Sequence, residues 1–293
     1  MILLILLLFF FMVKPLISYY GGKQRLVSKI VPYFPQHTVY VEPFCGGASM
    51  LFAKPILKTK NGSDYREIIN DVNEHITNLY RIAKTQPEEL IKMIDATLFS
   101  QADHKKAFEI LKKGTYSNLE QAWATYIQCN CSFSKQMFKG WSTSIVTANN
   151  GHTWNNRKKY LAEQISRLDE VIVSCEDALK CIERFDSPHT FFYCDPPYPN
   201  CYQGHYGGYT QKNFEDLIEV LKNIKGSFIL SNYHNEAVPK DWKMIEFEAS
   251  MSACVDHTID KKRIEVIWIK ESTIIPRSDI LKIYAKQKSL KLI

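Results

Sequence analysis

The sequence predicts an α/β protein with a doubly wound, mostly parallel sheet and an inserted, mostly helical module. Three observations support this fold class. β-Branched and aromatic runs alternate with amphipathic segments at 38–84 and again at 171–230, which is the pattern of repeated βα units. Residues 87–157, between them, show helical periodicity instead. The 293 residues are 45% hydrophobic with only 12 Gly and 12 Pro, so the chain can bury a large core and is not a disordered or fibrous protein.

The first part of the predicted sheet consists of two βα units. Thr38–Val41 is a strand that leads to the glycine turn Gly46-Gly47, and a short helix over Met50–Lys54 follows. A second strand covers Arg66–Asp71, and a helix follows it over about 72–84. Consecutive units of this kind place the carboxyl ends of both strands at one edge of the sheet.

The inserted module and the second part of the sheet follow. Helical periodicity covers 88–97, 105–111 and 119–128, and a polar, aromatic stretch extends from 131 to 156. The sheet then resumes with strands at Val171–Val173, Thr190–Cys194 and Ser227–Leu230, and with an amphipathic helix over Phe214–Ile224. Two late strands, Trp242–Ala249 and Arg263–Ile269, are predicted as an antiparallel pair at the sheet edge.

The formal net charge of +6 is concentrated in one segment. Residues 101–160 contain nine Lys and Arg against three Asp and Glu, which equals the excess of the whole chain. Such a segment is typical of a surface that binds a polyanion. A solvated face with lysines on exposed helices explains the charge equally well.

The amino terminus and the cysteines bear on location. Met1–Val13 is apolar throughout, but it is shorter than the roughly 20 residues of a spanning helix and lacks the positive region of a secretory signal. A short anchor, an uncleaved signal-like stretch and translation from an upstream start codon all remain open. The eight cysteines form no pair of CxxC units, so we expect buried, reduced thiols in the cytoplasm and no metal site. We expect His37 and His234 at the surface.

Acidic residues follow three of the predicted strands, namely Glu42, Asp71 and Asp195. The glycine turn allows a ligand to approach the backbone, and Asp71 is placed to accept hydrogen bonds from a ribose diol. Asp195 begins the segment Asp195-Pro196-Pro197-Tyr198, in which two prolines fix the backbone and remove two amide donors. Hydrogen-bond acceptors beside an aromatic ring suit a planar ligand that carries an amino group.

Three motifs occur in a characteristic order: Tyr19-Tyr20-Gly21-Gly22-Lys23, Glu42-Pro43-Phe44-Cys45-Gly46-Gly47 and Asp195-Pro196-Pro197-Tyr198. Together they resemble the Dam-type family of S-adenosylmethionine-dependent DNA adenine-N6 methyltransferases, over about Ile17–Lys270. The resemblance implies a Rossmann-like sheet. It also implies direct methyl transfer from S-adenosylmethionine to the exocyclic amine of an adenine that has been flipped out of the duplex.

The resemblance also assigns residues to the site. The catalytic motif is Asp195, Pro196, Pro197 and Tyr198, and the cofactor-binding residues are Tyr19, Lys23, Glu42, Phe44, Gly46, Asp71, Asp177 and Asp195. Asp71 is expected to bind the ribose hydroxyls and Asp177 to lie near the cofactor adenine, although Asp177 also fits a helix N-cap. Tyr19 stands where the family often has Trp, and Ala48 replaces a frequent glycine.

With this family in view, the chain divides into four parts: an apolar extension at 1–16, a cofactor-binding catalytic domain at 17–86 and 158–272, an inserted target-recognition module at 87–157, and a basic tail at 273–293. The expected partners are double-stranded DNA and a cognate restriction endonuclease, with no stable membrane association. We expect the DNA contacts to come from Lys135, Lys139, Trp141, Arg157 and Lys158.

Several other functions remain open. Related motifs serve the methylation of amino groups generally, so RNA adenine and the cytosine amine are alternative substrates. A catalytically silent DNA-binding regulator on the same scaffold is a further alternative. A nicotinamide-dependent oxidoreductase is disfavoured, because the glycine turn lacks the three spaced glycines of a dinucleotide-binding fold.

Overall fold

A computed structural model of the chain describes residues 13–55, 65–143, 149–199, 203, 208–250 and 262–270. Residues 1–12 of the apolar run Met1–Val13 and the whole basic tail at 273–293 lie outside the described residues. Within the described part, no helix is both long enough and apolar enough to cross a membrane.

The described strands form one sheet in the spatial order β3-β2-β1-β4-β5-β7-β6. They are β1 (Val39–Glu42), β2 (Arg66–Asn70), β3 (Val171–Ser174), β4 (Thr190–Cys194), β5 (Ser227–Asn232), β6 (Lys243–Ser250) and β7 (Lys262–Lys270). The strands β1 to β5 pair in parallel, whereas β7 pairs antiparallel with both β5 and β6. The predicted fold class and the late antiparallel pair are confirmed.

The helices of the described part cover both faces of the sheet. They are α1 (Val27–Ile30), α2 (Ser49–Ala53), α3 (Glu74–Thr85), α4 (Pro87–Asp95), α5 (Gln101–Lys113), α6 (Asn118–Cys131), α7 (Asn150–Lys158), α8 (Leu161–Ser166), α9 (Ala178–Phe185) and α10 (Gln211–Asn223). Short 3-10 turns follow α1 at Val31–Tyr33 and α6 at Phe133–Lys135.

Capping side chains determine where several helices begin. Asn73 accepts a hydrogen bond from the His75 amide, so α3 begins at Glu74 and not at 72. Thr210 and Asn213 form a capping box that starts α10 at Gln211, three residues before the predicted start. The helices α7 and α8 were not predicted, and α9 was predicted only through Asp177 as a candidate N-cap.

Two hydrophobic cores lie on opposite faces of the sheet. Alternate strand residues such as Ile69 and Tyr193 contribute to the first core, and Ile68 and Phe192 contribute to the second, as the two-residue period of a strand requires. The first core also contains apolar residues of the inserted helices, namely Leu90, Ile110, Tyr126 and Trp154. The second core packs against α9 and α10. The inserted helices therefore share one core with the sheet.

The surface position expected for His37 is wrong. Its side chain is buried, and its ring nitrogens bond to the Pro35 carbonyl at 2.8 Å and to the Tyr65 hydroxyl at 3.1 Å. Burial lowers the pKa of His37 to about 3, so the ring is neutral. The cysteines in the described part are free, and all are buried except Cys175.

Candidate active site

A cleft of about 1560 Å³ opens at the carboxyl ends of β1 and β4. From β1 the sheet extends through β2 to β3 on one side, and from β4 it extends to β5 on the other. This is the switch point of a doubly wound sheet, where ligands bind. The cleft exceeds the roughly 300–1,000 Å³ of a typical small-molecule pocket, so it has room for two ligands side by side. Residues of all three sequence motifs line it.

The turn after β1 brings the backbone of Gly46 against the ring of Tyr19. A Cβ atom on Gly46 would lie 2.5 Å from Cδ1 of Tyr19, and Gly46 has a φ of +45°. Glycine is therefore required for both space and conformation. Tyr80 of α3 supports the turn, because its hydroxyl donates to the Gly46 carbonyl at 2.9 Å. Ala48 also has a left-handed φ of 49°, a conformation that glycine adopts more readily.

Glu42 ends β1 and supports the same turn from inside. Its Oε1 accepts hydrogen bonds from the Tyr40 hydroxyl at 2.8 Å and from the Leu51 amide at 2.6 Å. Burial raises the pKa of Glu42 to about 8, although both donors act in the opposite direction. The side chain therefore holds the start of α2 against β1.

The loop after β2 is joined to the glycine turn by Asp71 and Asn70. Asp71 accepts from the Gly46 amide at 2.8 Å through Oδ2 and from the Asn73 amide at 2.9 Å through Oδ1. Asn70 donates through Nδ2 to the carbonyls of Pro43 and Glu176, so it also ties in the loop after β3. Each oxygen of Asp71 accepts one backbone amide and retains a lone pair for a ligand.

Asp177 and Phe44 line the far end of the cleft. Oδ1 of Asp177 accepts from the amides of Leu179 and Lys180, so Asp177 is the N-cap of α9 as well as a cleft residue. Phe44 meets the Tyr209 ring edge to face at a centroid distance of 6.3 Å. These side chains form an aromatic wall that suits a flat ligand.

Asp195 follows β4 and forms a buried ion pair with Lys23. The Lys23 ammonium lies 2.8 Å from Oδ1 and 2.9 Å from Oδ2 of Asp195, and it also donates to the Gly21 carbonyl at 3.0 Å. The first and third motifs thus meet directly, although 172 positions separate the two residues.

The electrostatics of the pair favour the charged form of Lys23. Burial alone would lower the pKa of Lys23, but the carboxylates of Asp195 and Glu265 outweigh burial and raise it. Burial raises the pKa of Asp195, while the Lys23 ammonium opposes that rise. The carboxylate of Asp195 thus accepts hydrogen bonds from a positively charged donor, the Lys23 ammonium, in a part of the cleft that is largely shielded from water.

Tyr198, the last residue of the motif, is held from several sides. Its hydroxyl donates to Oε2 of Glu265 at 2.7 Å and lies 3.2 Å from the Ser231 hydroxyl. Its ring meets the Tyr233 ring edge to face at 4.7 Å, and the Lys23 ammonium lies 4.8 Å from the ring centroid. Burial raises the pKa of Tyr198 far above its ordinary value, and the carboxylates of Asp195 and Glu265 add to this rise.

The loop after α6 forms one rim of the cleft. Lys135 and Lys139, two of the predicted DNA contacts, both line the cleft. Lys139 is exposed, whereas the Lys135 ammonium donates to the Asn130 carbonyl at 2.7 Å and is half-buried. Burial lowers the pKa of Lys135, and the nearby Arg157 guanidinium adds to the effect.

The remaining predicted DNA contacts lie outside the cleft lining. Trp141 packs on Phe99 with ring centroids 5.3 Å apart. Arg157 donates to the Ser18 hydroxyl at 2.7 Å. The Lys158 ammonium donates to the carbonyls of Asp95, the last residue of α4, and of Thr97 just after it. For Trp141 and Arg157, contact with DNA stays a prediction, whereas the backbone hydrogen bonds of Lys158 favour a structural role.

Several residues of the site were not predicted from the sequence: Arg25, Lys29 and Glu265, which line the cleft, and Asn70 and Tyr80, which support the turn after β1. Arg25 and Lys29 are exposed and follow the first motif closely, Arg25 in the turn before α1 and Lys29 in α1. Two basic residues so close to a predicted cofactor-binding motif were a usable signal. No sequence signal pointed to Glu265, since its place in the cleft depends on how β7 enters the sheet.

Comparisons with known proteins identify relatives among DNA methyltransferases. Modification methylase StsI from Streptococcus sanguinis is 25% identical over 199 residues, which cover 64% of this chain and 29% of that protein. The chain therefore spans less than a third of the length of this relative. Type II methyltransferase M1.LlaDCHI from Lactococcus lactis subsp. cremoris is 25% identical over 262 residues, 81% of this chain and 88% of that protein.

Two further proteins share a lower sequence identity with this chain. DNA adenine methylase from Vibrio cholerae serotype O1 is 21% identical over 237 residues, which cover 75% of this chain and 80% of that protein. Among solved structures, the rRNA methyltransferase aviRa from Streptomyces viridochromogenes superimposes with a TM-score of 0.36 at 12% identity, over 90% of this chain and 88% of that chain.

The family model of the D12 class N6 adenine-specific DNA methyltransferases matches residues 19–264. The match spans well over half of the chain and includes all three motifs that line the cleft. It confirms the resemblance on which the sequence analysis relied. The chain therefore belongs to the D12 class N6 adenine-specific DNA methyltransferase family.

Proposed function

We propose that the protein transfers a methyl group from S-adenosylmethionine directly to the exocyclic amine of an adenine in double-stranded DNA, at a specific site. The observation that carries this proposal is the position of Asp195. Its carboxylate lies in the cleft at the switch point and holds a cationic N–H donor at 2.8 Å. An amine that accepts a methyl group gains positive charge, so the same carboxylate favours the transition state.

The glycine turn and Asp71 fit the cofactor. Gly46 lines the cleft beside the Tyr19 ring, and the oxygens of Asp71 retain lone pairs that suit a ribose diol. Phe44 and Tyr209 offer an aromatic wall for an adenine ring, with Asp177 beside them. When bound, S-adenosylmethionine supplies a methyl group already activated by its sulfonium centre. The chain must therefore mainly align the acceptor amine.

The catalytic motif suits the target base. Asp195 and the Pro196 carbonyl each accept one hydrogen of the amine, which leaves the nitrogen lone pair directed at the methyl group. The ring of Tyr198 provides a surface on which the base stacks. The amine is out of reach inside a duplex, so the base must be flipped into the cleft, at a cost of a few kcal/mol that stacking and phosphate contacts offset.

Basic side chains on two sides of the cleft suit the DNA backbone. Lys139 lies on the loop after α6, and Arg25 and Lys29 lie on the side of the first motif. All three are exposed, so they can contact phosphates while the base enters the cleft. The names of the relatives support a role for the protein in a restriction–modification pair with a cognate endonuclease. We propose that the protein acts in the cytoplasm.

Radiolabel transfer tests the proposal. Purified protein is incubated with methyl-labelled S-adenosylmethionine and duplex DNA, and the DNA is then digested to nucleosides. We expect the label in N6-methyldeoxyadenosine, with Asp195→Asn inactive and the exposed Asp169→Asn unchanged. Label in methylcytosine, or transfer only to RNA, would support one of the other substrates. DNA binding without any transfer would support the regulator.

A further inference from the structure

Glu265 brings a carboxylate into the catalytic cleft from an unexpected direction. It lies on β7, which runs antiparallel to β5, with Val266 opposite Asn232 at the end of β5. The amino-terminal half of β7 therefore lies at the edge where the parallel strands end. Glu265 lines the cleft there, together with Asp195 and Tyr198.

The contact between Glu265 and Tyr198 is short. The Tyr198 hydroxyl donates to Oε2 of Glu265 at 2.7 Å, a length typical of a charge-assisted hydrogen bond. The hydroxyl lies 3.2 Å from Ser231 and 3.4 Å from Oδ1 of Asp195, so Glu265 is its closest acceptor. The hydroxyl end of Tyr198 is therefore tied to β7, while its backbone follows β4.

The ring of Tyr198 is fixed at two ends as a result. Pro196 and Pro197 restrict the backbone before it, and the Glu265 carboxylate restricts the torsions of the side chain. The Tyr233 ring meets it edge to face at 4.7 Å. A phenol that donates to a carboxylate also carries more electron density in its ring, which strengthens its attraction for a cation above the face.

We propose that Glu265 is a positioning residue for methyl transfer, which acts by holding the Tyr198 ring in the plane on which the target base stacks. This inference rests on the proposed function. Glu265 acts through Tyr198, so its removal should slow the chemical step and leave cofactor binding unchanged.

Steady-state kinetics on duplex DNA of mixed sequence test this role. The variants are Glu265→Ala, Glu265→Gln, Tyr198→Phe and the double variant Tyr198→Phe/Glu265→Ala. Glu246→Gln is the matched control, because Glu246 lies on the neighbouring strand, is exposed and contacts His234. We expect Glu265→Ala and Tyr198→Phe each to lower kcat by about 10-fold or more. Glu265→Gln keeps an acceptor for the hydroxyl, so it should lose less.

The double variant separates positioning from other roles. If Glu265 acts through the Tyr198 hydroxyl, the double variant is within about 2-fold of Tyr198→Phe alone, since the second change removes an interaction that no longer exists. The KM for S-adenosylmethionine should stay at its wild-type value in every variant.

Three results would overturn the inference: wild-type kcat in Glu265→Ala, fully additive losses in the double variant, or a loss confined to the KM for S-adenosylmethionine. If Glu265→Ala does not fold, Glu265→Gln and Tyr198→Phe preserve side-chain volume and carry the test. A wild-type protein that transfers no methyl to DNA contradicts the proposed function, whereas an active wild type with neutral Glu265 variants contradicts this inference alone.

Discussion

Glu42 is a buried carboxyl whose protonation depends on the fold. Burial raises its pKa to about 8 from 4.5. Between these values the folded protein binds a proton that the unfolded chain has released, so the contribution of Glu42 to the free energy of unfolding falls as pH rises. That contribution is fully present below about pH 4.5 and is lost as pH rises to about 8.

Glu42→Gln should remove this pH dependence. Glutamine keeps an oxygen that can accept from Tyr40 and Leu51, but it does not titrate. Relative to Glu42→Gln, we expect the wild type to lose up to about 1.4 kcal/mol of unfolding free energy per pH unit between the two pKa values. Urea unfolding of both proteins from pH 5 to pH 8.5 measures the difference. If the free energies of unfolding of the two proteins instead change with pH in parallel, Glu42 is ionised in the folded state at neutral pH.

Residues within a contiguous motif were predictable, whereas those assembled from distant segments were not. Asp195 to Tyr198 form one motif after a buried strand, and the identity of these residues already indicates their chemistry. Glu265 joins them only because β7 turns back beside β5, and its neighbours in sequence give no hint of this. The Lys23–Asp195 ion pair has the same origin: the sequence predicted both residues, but folding alone reveals their contact.

Most strands were predicted, whereas some helices were missed or predicted with a different start. The strands β1, β2, β4 and β5 are rich in β-branched or aromatic residues, and their predicted bounds are close to the observed ones. The helix α7 is polar, with Trp154 as its buried residue, so no apolar stripe indicates it. The first turn of α3 depends on Asn73, whose capping bond was not considered.

The loop after α6 and the end of α7 carry lysines with contrasting surroundings. Lys139 is exposed at the rim of the cleft. The Lys158 ammonium donates to the Asp95 carbonyl at 2.9 Å and to the Thr97 carbonyl at 2.6 Å, and it lies 5.3 Å from the centroid of the Trp154 ring. Lys158 thus ties α7 to the carboxyl end of α4 and to the residues just after it.

These surroundings lead to opposite expectations for alanine variants. Lys139→Ala should weaken DNA binding and reduce the slope of log K against log salt by about 1, since one phosphate contact is lost. Lys158→Ala should leave that slope unchanged and lower the free energy of unfolding by about 1–2 kcal/mol. Fluorescence anisotropy at several salt concentrations and urea unfolding measure the two effects. An equal reduction in slope for Lys158→Ala would instead support its predicted contact with DNA.

At the scale of the whole molecule, the sequence predicted the parallel sheet with its antiparallel edge, but it did not predict that the inserted helices share a hydrophobic core with the sheet. Periodicity indicates that a helix has a buried face, and it does not say which partner covers that face. The inserted helices were therefore assigned to a separate module. In the structure their apolar residues, including Trp123 and Ile127 of α6, lie in the same core as Tyr193 of the sheet.

This shared core predicts that the inserted helices and the sheet unfold together. A module with its own core can melt alone, but exposing the buried face of α6 would also expose α3, the helix of the second βα unit, against which α6 packs. Fluorotryptophan NMR provides local probes, since Trp123 and Trp154 lie in the inserted helices and Trp268 lies on β7. We expect the three folded signals to disappear at the same urea concentration.

Ile127→Ala, which leaves a cavity in the shared core, should lower the free energy of unfolding by about 2–5 kcal/mol and shift all three transitions equally. Loss of the Trp123 and Trp154 signals at a urea concentration that leaves Trp268 folded would show that residues 87–157 form an independent domain.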